Sequence, residues 1–213
     1  MSLRFLTPVS DDNFCLSAIV LAAGASTRMG RPKELLRFDG KALWQICVEK
    51  FLKAGVSDVV VVTRSFHEDL KKGIKSLGAR IVLNKDADSH MMDSVILGME
   101  SLSPSSTGCM ILPVDCGLVK EETIIQLVGL HVTRPDFLIR PFSKKRGGHP
   151  LLVPRFLYKE ICSGKAESLR LIMKRYSKRL INMPCSDGWA FFDIDTPKDF
   201  LFAKKALGIR RVS

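Results

Sequence analysis

The sequence lacks the features of several common protein classes. No apolar run approaches the roughly 18 residues that a membrane-spanning helix needs, and we see no cleavable signal at the start of the chain. The six cysteines show no Cys-x-x-Cys spacing, which argues against a disulfide scaffold or a zinc site. We therefore expect a cytoplasmic protein with reduced thiols and no membrane partner.

Aromatic residues are also few, and this bears on the excess of positive charge. Only 8% of the residues are aromatic, whereas 33 basic against 22 acidic side chains give a net charge of +11. Such a charge favours anionic partners, but the sequence has no recognition-helix, zinc-finger or RNA-binding aromatic signature. A basic pocket for a nucleotide and a phosphorylated acceptor explains the charge equally well, so we expect no nucleic-acid partner.

Two general nucleotide-binding motifs and the common nucleophilic arrangements are missing as well. A Walker loop requires Ser or Thr after its lysine, but Glu34 follows Lys33. A Rossmann fingerprint requires three glycines, and only Gly24 and Gly30 are present. No Ser-His-Asp or Cys-His arrangement is evident, which argues against a covalent enzyme intermediate.

The periodicity of the chain predicts an α/β protein. With 213 residues it is long enough for one well-buried domain, and we expect an irregular leader over residues 1–14 before a single domain over 15–213. Predicted strands cover residues 16–21, 58–63, 80–83, 108–112, 136–140, 181–183 and 189–194. Predicted helices cover residues 42–54, 67–77, 95–102, 122–131, 154–162 and 167–176, and Thr196 and Pro197 begin a last one. This alternation predicts a mostly parallel sheet with right-handed crossovers.

The most informative stretch runs from Leu21 to Lys33, directly after a buried apolar strand. Its small residues allow close approach of the backbone to a ligand, while Arg28 and Lys33 suit phosphate groups. The loop after a first parallel strand is where open α/β sheets bind nucleotides. An ordinary basic connecting loop is the competing interpretation. The expected nucleotide contacts in this stretch are Leu21, Ala22, Ala23, Gly24 and Ser26, with Arg28 and Lys33 as catalytic residues.

This stretch resembles the opening motif of the MobA-like NTP transferases. It is most similar to the molybdenum cofactor cytidylyltransferases, which carry Ala-Ala-Gly and Pro-Lys, whereas members of the family that use GTP more often carry Ala-Gly-Gly and Asp-Lys. The resemblance spans about residues 18–200. It implies a single-domain, three-layer Rossmann-like nucleotidyltransferase fold with a mostly parallel central sheet.

Three later motifs occur in the family's order. The first is Asn followed by Gly-Met-x-x-Ser, which faces the base in the family. Asn84, Met91 and Ser94 fit it, although His90 replaces the glycine. The resemblance therefore implies nucleotide contacts from Asn84 and Ser94.

The second motif centres on Asp115, just past a predicted strand. The family has Leu-x-Asp-x-Pro-x-Val here, and this chain has Cys116 and Gly117 where Gln or Met and then Pro are usual. An acidic residue at a strand tip opposite a phosphate loop can hold Mg²⁺. We expect Asp115 to be catalytic and a metal ligand, and Cys116 to be a packed thiol rather than a nucleophile.

The third motif is Gly148-His149-Pro150, which lies beside the acceptor substrate in the family. Gly148 allows close backbone approach, and His149 can donate to a phosphate or a pterin carbonyl. A tight turn in which the histidine binds a backbone carbonyl is an equally weighted alternative.

The last predicted strand ends in a segment resembling the family's Asp-Ile-Asp-Thr-Pro. In a strand, alternation would place Asp193 and Asp195 on the same side, where a cation would offset their repulsion. Together with Asp115 they form a candidate Mg²⁺ shell, in which we favour Asp193 over Asp195.

The resemblance implies transfer of a nucleotide from CTP to a phosphorylated acceptor such as molybdopterin, with release of pyrophosphate. A recipient molybdoenzyme is a candidate partner. Three other interpretations stay open: a sugar- or polyol-phosphate nucleotidyltransferase, a non-catalytic molybdopterin-binding chaperone, and a nucleic-acid binder.

Overall fold

The computed structural model describes residues 15–65, 68–86 and 89–209. The leader expected over residues 1–14 lies outside this range, as does His67. The strands are β1 (Leu16–Ala22), β2 (Arg37–Phe38), β3 (Lys41–Ala42), β4 (Asp58–Thr63), β5 (Arg80–Leu83), β6 (Gly108–Pro113), β7 (Leu138–Ser143), β8 (Arg146–Gly147), β9 (Leu151–Pro154) and β10 (Leu180–Pro184). The α-helices are α1 (Leu43–Lys53), α2 (Glu68–Ser76), α3 (Met91–Glu100), α4 (Glu121–Thr133), α5 (Tyr158–Cys162), α6 (Leu169–Arg175) and α7 (Pro197–Ala206). Within the described residues, no helix has the length and apolar character needed to cross a bilayer.

The central sheet confirms the predicted, mostly parallel arrangement. Its strands follow the order β10–β7–β9–β6–β1–β4–β5, and β8 pairs with β7. β1 is parallel to β4 and β6, and β10 is parallel to β7, whereas β9 is antiparallel to both β6 and β7. The carboxyl ends of the parallel strands therefore share one edge of the sheet, and β9 begins at that same edge.

Strand β1 shows why the sheet is covered on both faces. Leu16, Ala18 and Val20 belong to a core shared with α1, α2, α4 and α7. Ile19 and Leu21 point to the other face and belong to a core shared with α3, α5 and α6. Because both faces are buried, the strand is apolar throughout instead of alternating. The result is the three-layer architecture that the family resemblance implied.

Helix α3 begins earlier than its periodicity predicted. It starts at Met91 instead of Val95, because the Asp93 carboxylate accepts a hydrogen bond from the His90 amide at 2.6 Å and satisfies a free donor at the helix start. This extension places Ser94 in the first turn of the helix.

The predicted strand over residues 189–194 is wrong. Gly188–Phe191 forms a 3₁₀ turn capped by the Asp187 side chain, which accepts a hydrogen bond from the Trp189 amide at 3.0 Å. Trp189 and Phe192 then pack edge to face, with ring centroids 5.4 Å apart. The segment is apolar because its rings pack against the core and against Phe202 of α7, not because it pairs with the sheet. Strand alternation consequently does not govern the two aspartates that follow.

We expect the contact between α3 and β1 to leave no space for a side chain at Gly98. A Cβ on buried Gly98 would lie 2.7 Å from Cγ2 of Ile19, whereas a Cβ on exposed Gly129 in α4 would meet nothing within 4 Å. Gly98→Ala should therefore lower the free energy of unfolding by about 1–3 kcal/mol. Gly129→Ala, the matched control, should raise it by about 0.5–1 kcal/mol. Urea unfolding followed by circular dichroism measures both, and a stabilising Gly98→Ala would contradict the expected close packing.

Candidate functional site

A cleft of about 490 Å³ opens at the carboxyl edge of the sheet. Its walls are the loop after β1, the turn after β6 and the first turn of α3. This is the edge at which open α/β sheets bind ligands. Ten of the residues predicted from the sequence line it: Leu21, Ala22, Ala23, Gly24, Ser26, Arg28, Lys33, Ser94, Asp115 and Asp195.

The loop after β1 folds back on itself and returns Lys33 to the cleft. The carbonyl of Ser26 accepts hydrogen bonds from the amides of Met29 and Gly30 at 3.0 and 3.1 Å. The Ser26 hydroxyl accepts another from the Lys33 amide at 3.2 Å. Gly30 has a φ of +72°, which glycine adopts without strain. Buried Met29 anchors the turn, so the polar side chains on either side of it face the cleft.

Lys33 bridges two carboxylates at the centre of the cleft. Its Nζ lies 2.8 Å from Oδ2 of Asp115 and 2.6 Å from Oδ1 of Asp195, and its side chain is only 13% exposed. Burial alone would lower the pKa of Lys33, but the hydrogen bonds and charges of the two aspartates outweigh it and raise the pKa above its usual value. The ammonium group is therefore charged at neutral pH.

Arg28 adds a second, more exposed positive charge. Its Nη1 lies 3.1 Å from Oδ2 of Asp195, and its side chain is 69% exposed. Asp195 thus contacts two cations, one inside the cleft and one at its rim. Because the Arg28 guanidinium is largely in water, its ion pair with Asp195 contributes little to stability, and the side chain is free to turn toward a bound anion.

A backbone hydrogen bond determines which of the two late aspartates joins the cleft. The Ile194 amide donates to the carbonyl of Asp115 at 3.0 Å, which docks the segment before α7 against the turn after β6. Asp195 then faces Lys33 and Asp115. Asp195, and not Asp193, thus shares Lys33 with Asp115, whereas the preference for Asp193 as a metal ligand stays a prediction.

Asp193 has other neighbours. Its Oδ1 accepts a hydrogen bond from the thiol of Cys116 at 3.1 Å, and its Oδ2 lies 3.4 Å from Nη2 of Arg146. Burial, together with the charges of Asp115 and Asp193, raises the pKa of the Cys116 thiol well above its usual value. Cys116 is therefore a protonated, packed thiol and a poor nucleophile.

The turn that presents Asp115 has glycine at position 117, and its packing explains why. A Cβ on Gly117 would lie 2.5 Å from Sγ of Cys47 and 2.8 Å from the carbonyl oxygen of Val114. Lys50, in α1, donates from its Nζ to the carbonyls of Gly117 and Val119 at 2.9 and 2.7 Å. Packing against Cys47 therefore excludes a larger residue, and the ammonium of Lys50 holds the turn in place.

Asn84 supports the cleft but does not line it. It is 2% exposed, and its Nδ2 donates to the hydroxyls of Ser89 and Ser94, each at 2.9 Å. Its Oδ1 accepts a hydrogen bond from the Asp86 amide at 3.2 Å. Among the described residues that form the cleft wall, Ser94 is present and Asn84 is not. Asn84 therefore positions Ser94 in this structure, and its predicted direct contact with the nucleotide stays a prediction.

The predicted acceptor residues lie around a second cavity of about 190 Å³. It shares part of its wall, including Leu21 and Pro113, with the main cleft. Gly148 and His149 line it, whereas Pro150 is not among the described residues of either wall. A Cβ on Gly148 would lie 2.5 Å from the carbonyl oxygen of Ala190, so the backbone approach there requires glycine.

His149 has an unfilled hydrogen-bonding position. Its Nδ1 is buried and finds no partner among the described residues. Burial lowers the pKa of His149, against the opposing charges of Asp193 and Asp115, so the imidazole is neutral at pH 7. A neutral ring offers one donor and one acceptor to a ligand in this cavity.

Comparison with known proteins identifies the fold and the family. The family described as "MobA-like NTP transferase domain" matches residues 18–180, most of the chain. The chain belongs to this family. In architecture, the protein is similar to a nucleotidyl transferase from Methanothermobacter thermautotroptrophicus, with a TM-score of 0.76, 20% identity, and coverage of 90% of this chain and 97% of that one.

Two curated relatives carry different activity names. The chain is 27% identical over 192 residues to nicotine blue oxidoreductase of Paenarthrobacter nicotinovorans, covering 85% of this chain and 93% of that protein. It is 24% identical over 189 residues to a probable molybdenum cofactor guanylyltransferase of Bacillus licheniformis, covering 85% of this chain and 92% of that protein. The family and fold identify this protein as a nucleotidyltransferase of the MobA-like type.

The cleft of this MobA-like transferase also contains side chains that the sequence reasoning missed. They include Glu34, Arg64 and Ser89. Arg64 follows β4 directly and so lies at the same edge as the loop after β1. A basic residue one position past a parallel strand was a usable signal, but it was overlooked because no family motif marks it.

Proposed function

We propose that this transferase is a CTP:molybdopterin cytidylyltransferase that uses Mg²⁺ and releases pyrophosphate. The observation that carries the proposal is the Lys33 ammonium held between Asp115 and Asp195, opposite a loop of small residues. Cations that bind phosphate and carboxylates that bind a divalent ion are here within one cleft. These are the groups that nucleotidyl transfer requires.

In the proposed reaction, a phosphate oxygen of the acceptor attacks the α-phosphorus of CTP. A new P–O bond forms as the bond to pyrophosphate breaks, so no covalent enzyme intermediate is needed. Lys33 and Arg28 bind the triphosphate and neutralise charge that builds up as pyrophosphate leaves. Gly148 and His149 hold the acceptor in the adjoining cavity, which aligns the attacking oxygen. The chain's contribution is positioning and electrostatics.

The carboxylates of Asp115 and Asp195 fit a bound Mg²⁺. This ion is commonly held by one or two carboxylates together with substrate phosphates, which agrees with the absence, among the described residues, of a cluster of three or more acidic, His or Cys metal ligands. When bound, Mg²⁺ would neutralise phosphate charge. Lys33 now compensates the same two carboxylates, and its flexible stem allows it to turn to the phosphates.

The second cavity favours a flat acceptor over a polyhydroxylated sugar phosphate. Its wall is largely apolar and includes Ile111, Leu151 and Leu169, which cannot hydrogen-bond to hydroxyl groups. The guanidinium of Arg140 and the free Nδ1 of His149 supply polar contacts at a few points. This pattern of an apolar wall with few polar groups suits a heterocycle that carries phosphate, such as molybdopterin.

We also propose a cytoplasmic location, with the finished cofactor passed to a recipient molybdoenzyme. All six cysteines are free thiols in the structure, which fits a reducing compartment.

The first prediction concerns the phosphate-binding residues. With CTP, acceptor and Mg²⁺ present, the wild-type protein should release pyrophosphate. Lys33→Ala and Arg28→Ala should each reduce the rate by about 10²–10³, because each removes a contact to developing charge. Arg37→Ala is the matched control, since Arg37 donates to the Gly40 carbonyl away from the cleft. Oxidoreductase activity without pyrophosphate release would instead favour the function named for the Paenarthrobacter relative.

The second prediction concerns the base. We expect kcat/KM to be higher for CTP than for GTP and ATP, because Ala23 partly fills the space beyond β1 and a pyrimidine is smaller than a purine. A cleft that pairs with the correct base leaves its polar groups unpaired with the wrong one, which discriminates strongly. Steady-state kinetics with the four NTPs and one acceptor measures this. GTP equal to or better than CTP would favour the guanylyl transfer named for the Bacillus relative.

The third prediction concerns the metal. Asp115→Asn should weaken Mn²⁺ binding measured by electron paramagnetic resonance, because an amide is a poorer ligand than a carboxylate. Lys33→Met should strengthen Mn²⁺ binding without nucleotide, because it removes the cation that now occupies the two carboxylates. Asp193→Asn is the control and should change little. A loss of binding in Asp193→Asn that equals the loss in Asp115→Asn would assign the metal to Asp193 instead.

A further inference from the structure

Arg64 is a half-buried cation in the cleft, and its Nε is buried without a partner among the described residues. It directly follows β4 and lines the main cleft. Its Nε is buried and has no hydrogen-bond partner within the part of the chain that the structure describes. The arginine ion pairs in that part belong to Arg28, Arg80, Arg146 and Arg175. A buried donor with no acceptor costs free energy, and a ligand acceptor in the cleft would recover it.

The sheet order places Arg64 away from the reacting phosphate. β4 and β6 flank β1 on opposite sides, so the segments after them lie on opposite sides of the loop after β1. Asp115 follows β6, and Arg64 follows β4. The cleft wall also includes Arg64, Ser89 and Ser94, so a nucleotide with its phosphates at Lys33 and Asp115 has room to extend its nucleoside toward Arg64.

We propose that Arg64 binds the base of the nucleotide and selects for two neighbouring hydrogen-bond acceptors. This inference rests on the proposed function and specifies a contact that distinguishes cytosine from uracil. A guanidinium offers only donors, arranged as a planar fork. Cytosine presents its O2 and N3 acceptors side by side, which matches that fork. Uracil carries an N3–H donor where cytosine has its N3 acceptor, and this donor would face the donors of Arg64.

CTP and UTP provide the test, because they carry identical phosphates and ribose and have bases of the same size. Dissociation constants are measured by isothermal titration calorimetry on the full chain with each nucleotide and no acceptor. The wild-type protein should bind CTP more tightly than UTP by about tenfold to a hundredfold, the range of a good bidentate contact. Arg64→Met should remove most of this difference by weakening CTP binding.

Two further variants separate the base contact from other effects. Arg64→Lys keeps the charge but loses the fork, so it should also lose discrimination. Arg37→Met, at an exposed arginine outside the cleft wall, should leave both constants unchanged. Thermal unfolding checks that each variant is folded.

The outcomes distinguish this inference from the proposed function. Equal weakening of CTP and UTP in Arg64→Met would mean a phosphate contact and would overturn the base assignment. Unchanged binding in Arg64→Met, or a wild-type protein that binds CTP and UTP equally well, would overturn it too. In each of these cases nucleotide binding itself survives. A wild-type protein that binds no nucleoside triphosphate would refute the proposed function, and this inference with it.

Discussion

The site depends on one shared cation. Lys33 lies 82 residues from Asp115 and 162 residues from Asp195 in the sequence, yet its ammonium contacts both carboxylates. Two carboxylates that face one another repel unless a positive charge lies between them. The ammonium group therefore links three distant segments of the chain. The fold brings the backbones of these segments close enough for Lys33 to contact both carboxylates. The loop after β1 carries Lys33 and the turn after β6 carries Asp115. The hydrogen bond between Ile194 and Asp115 positions the segment that carries Asp195.

Buried charged groups hold the turn after β6 in place from two sides. Lys50 donates to two carbonyls of this turn. Asp187 accepts hydrogen bonds from the Lys120 amide at 2.7 Å and from the Thr123 hydroxyl at 3.0 Å. Each charge is met by polar groups of the backbone or of a neighbouring side chain, as buried charges require. The turn that presents Asp115 is thus held by ionic hydrogen bonds in a chain that has Gly117 where proline is usual.

The sequence was most informative where a local pattern determines the structure. The apolar run predicted β1, and this strand is confirmed. The loop of small residues after it brings Lys33 to the cleft, and the catalytic role of Lys33 stays a prediction. Asn84 was different, because its motif shows that a polar side chain is needed but not whether it faces a ligand or two serines. The aromatic run near Trp189 was misassigned, because strands and packed loops both bury apolar side chains. Arg64 was missed although it directly follows a predicted strand, and only the tertiary structure shows that its Nε has no partner among the described residues.

The reversed direction of β9 has a consequence for a reaction with two substrates. The loop before β9 carries Gly148 and His149, and it reaches the ligand edge because this four-residue strand runs against its neighbours. In a fully parallel sheet the same loop would lie at the far edge, about 13 Å away at the usual rise per residue. One change of strand polarity thus places a second pocket beside the first. In the proposed reaction, donor and acceptor would meet end to end between these pockets, because the direction of β9 brings the two loops to one edge.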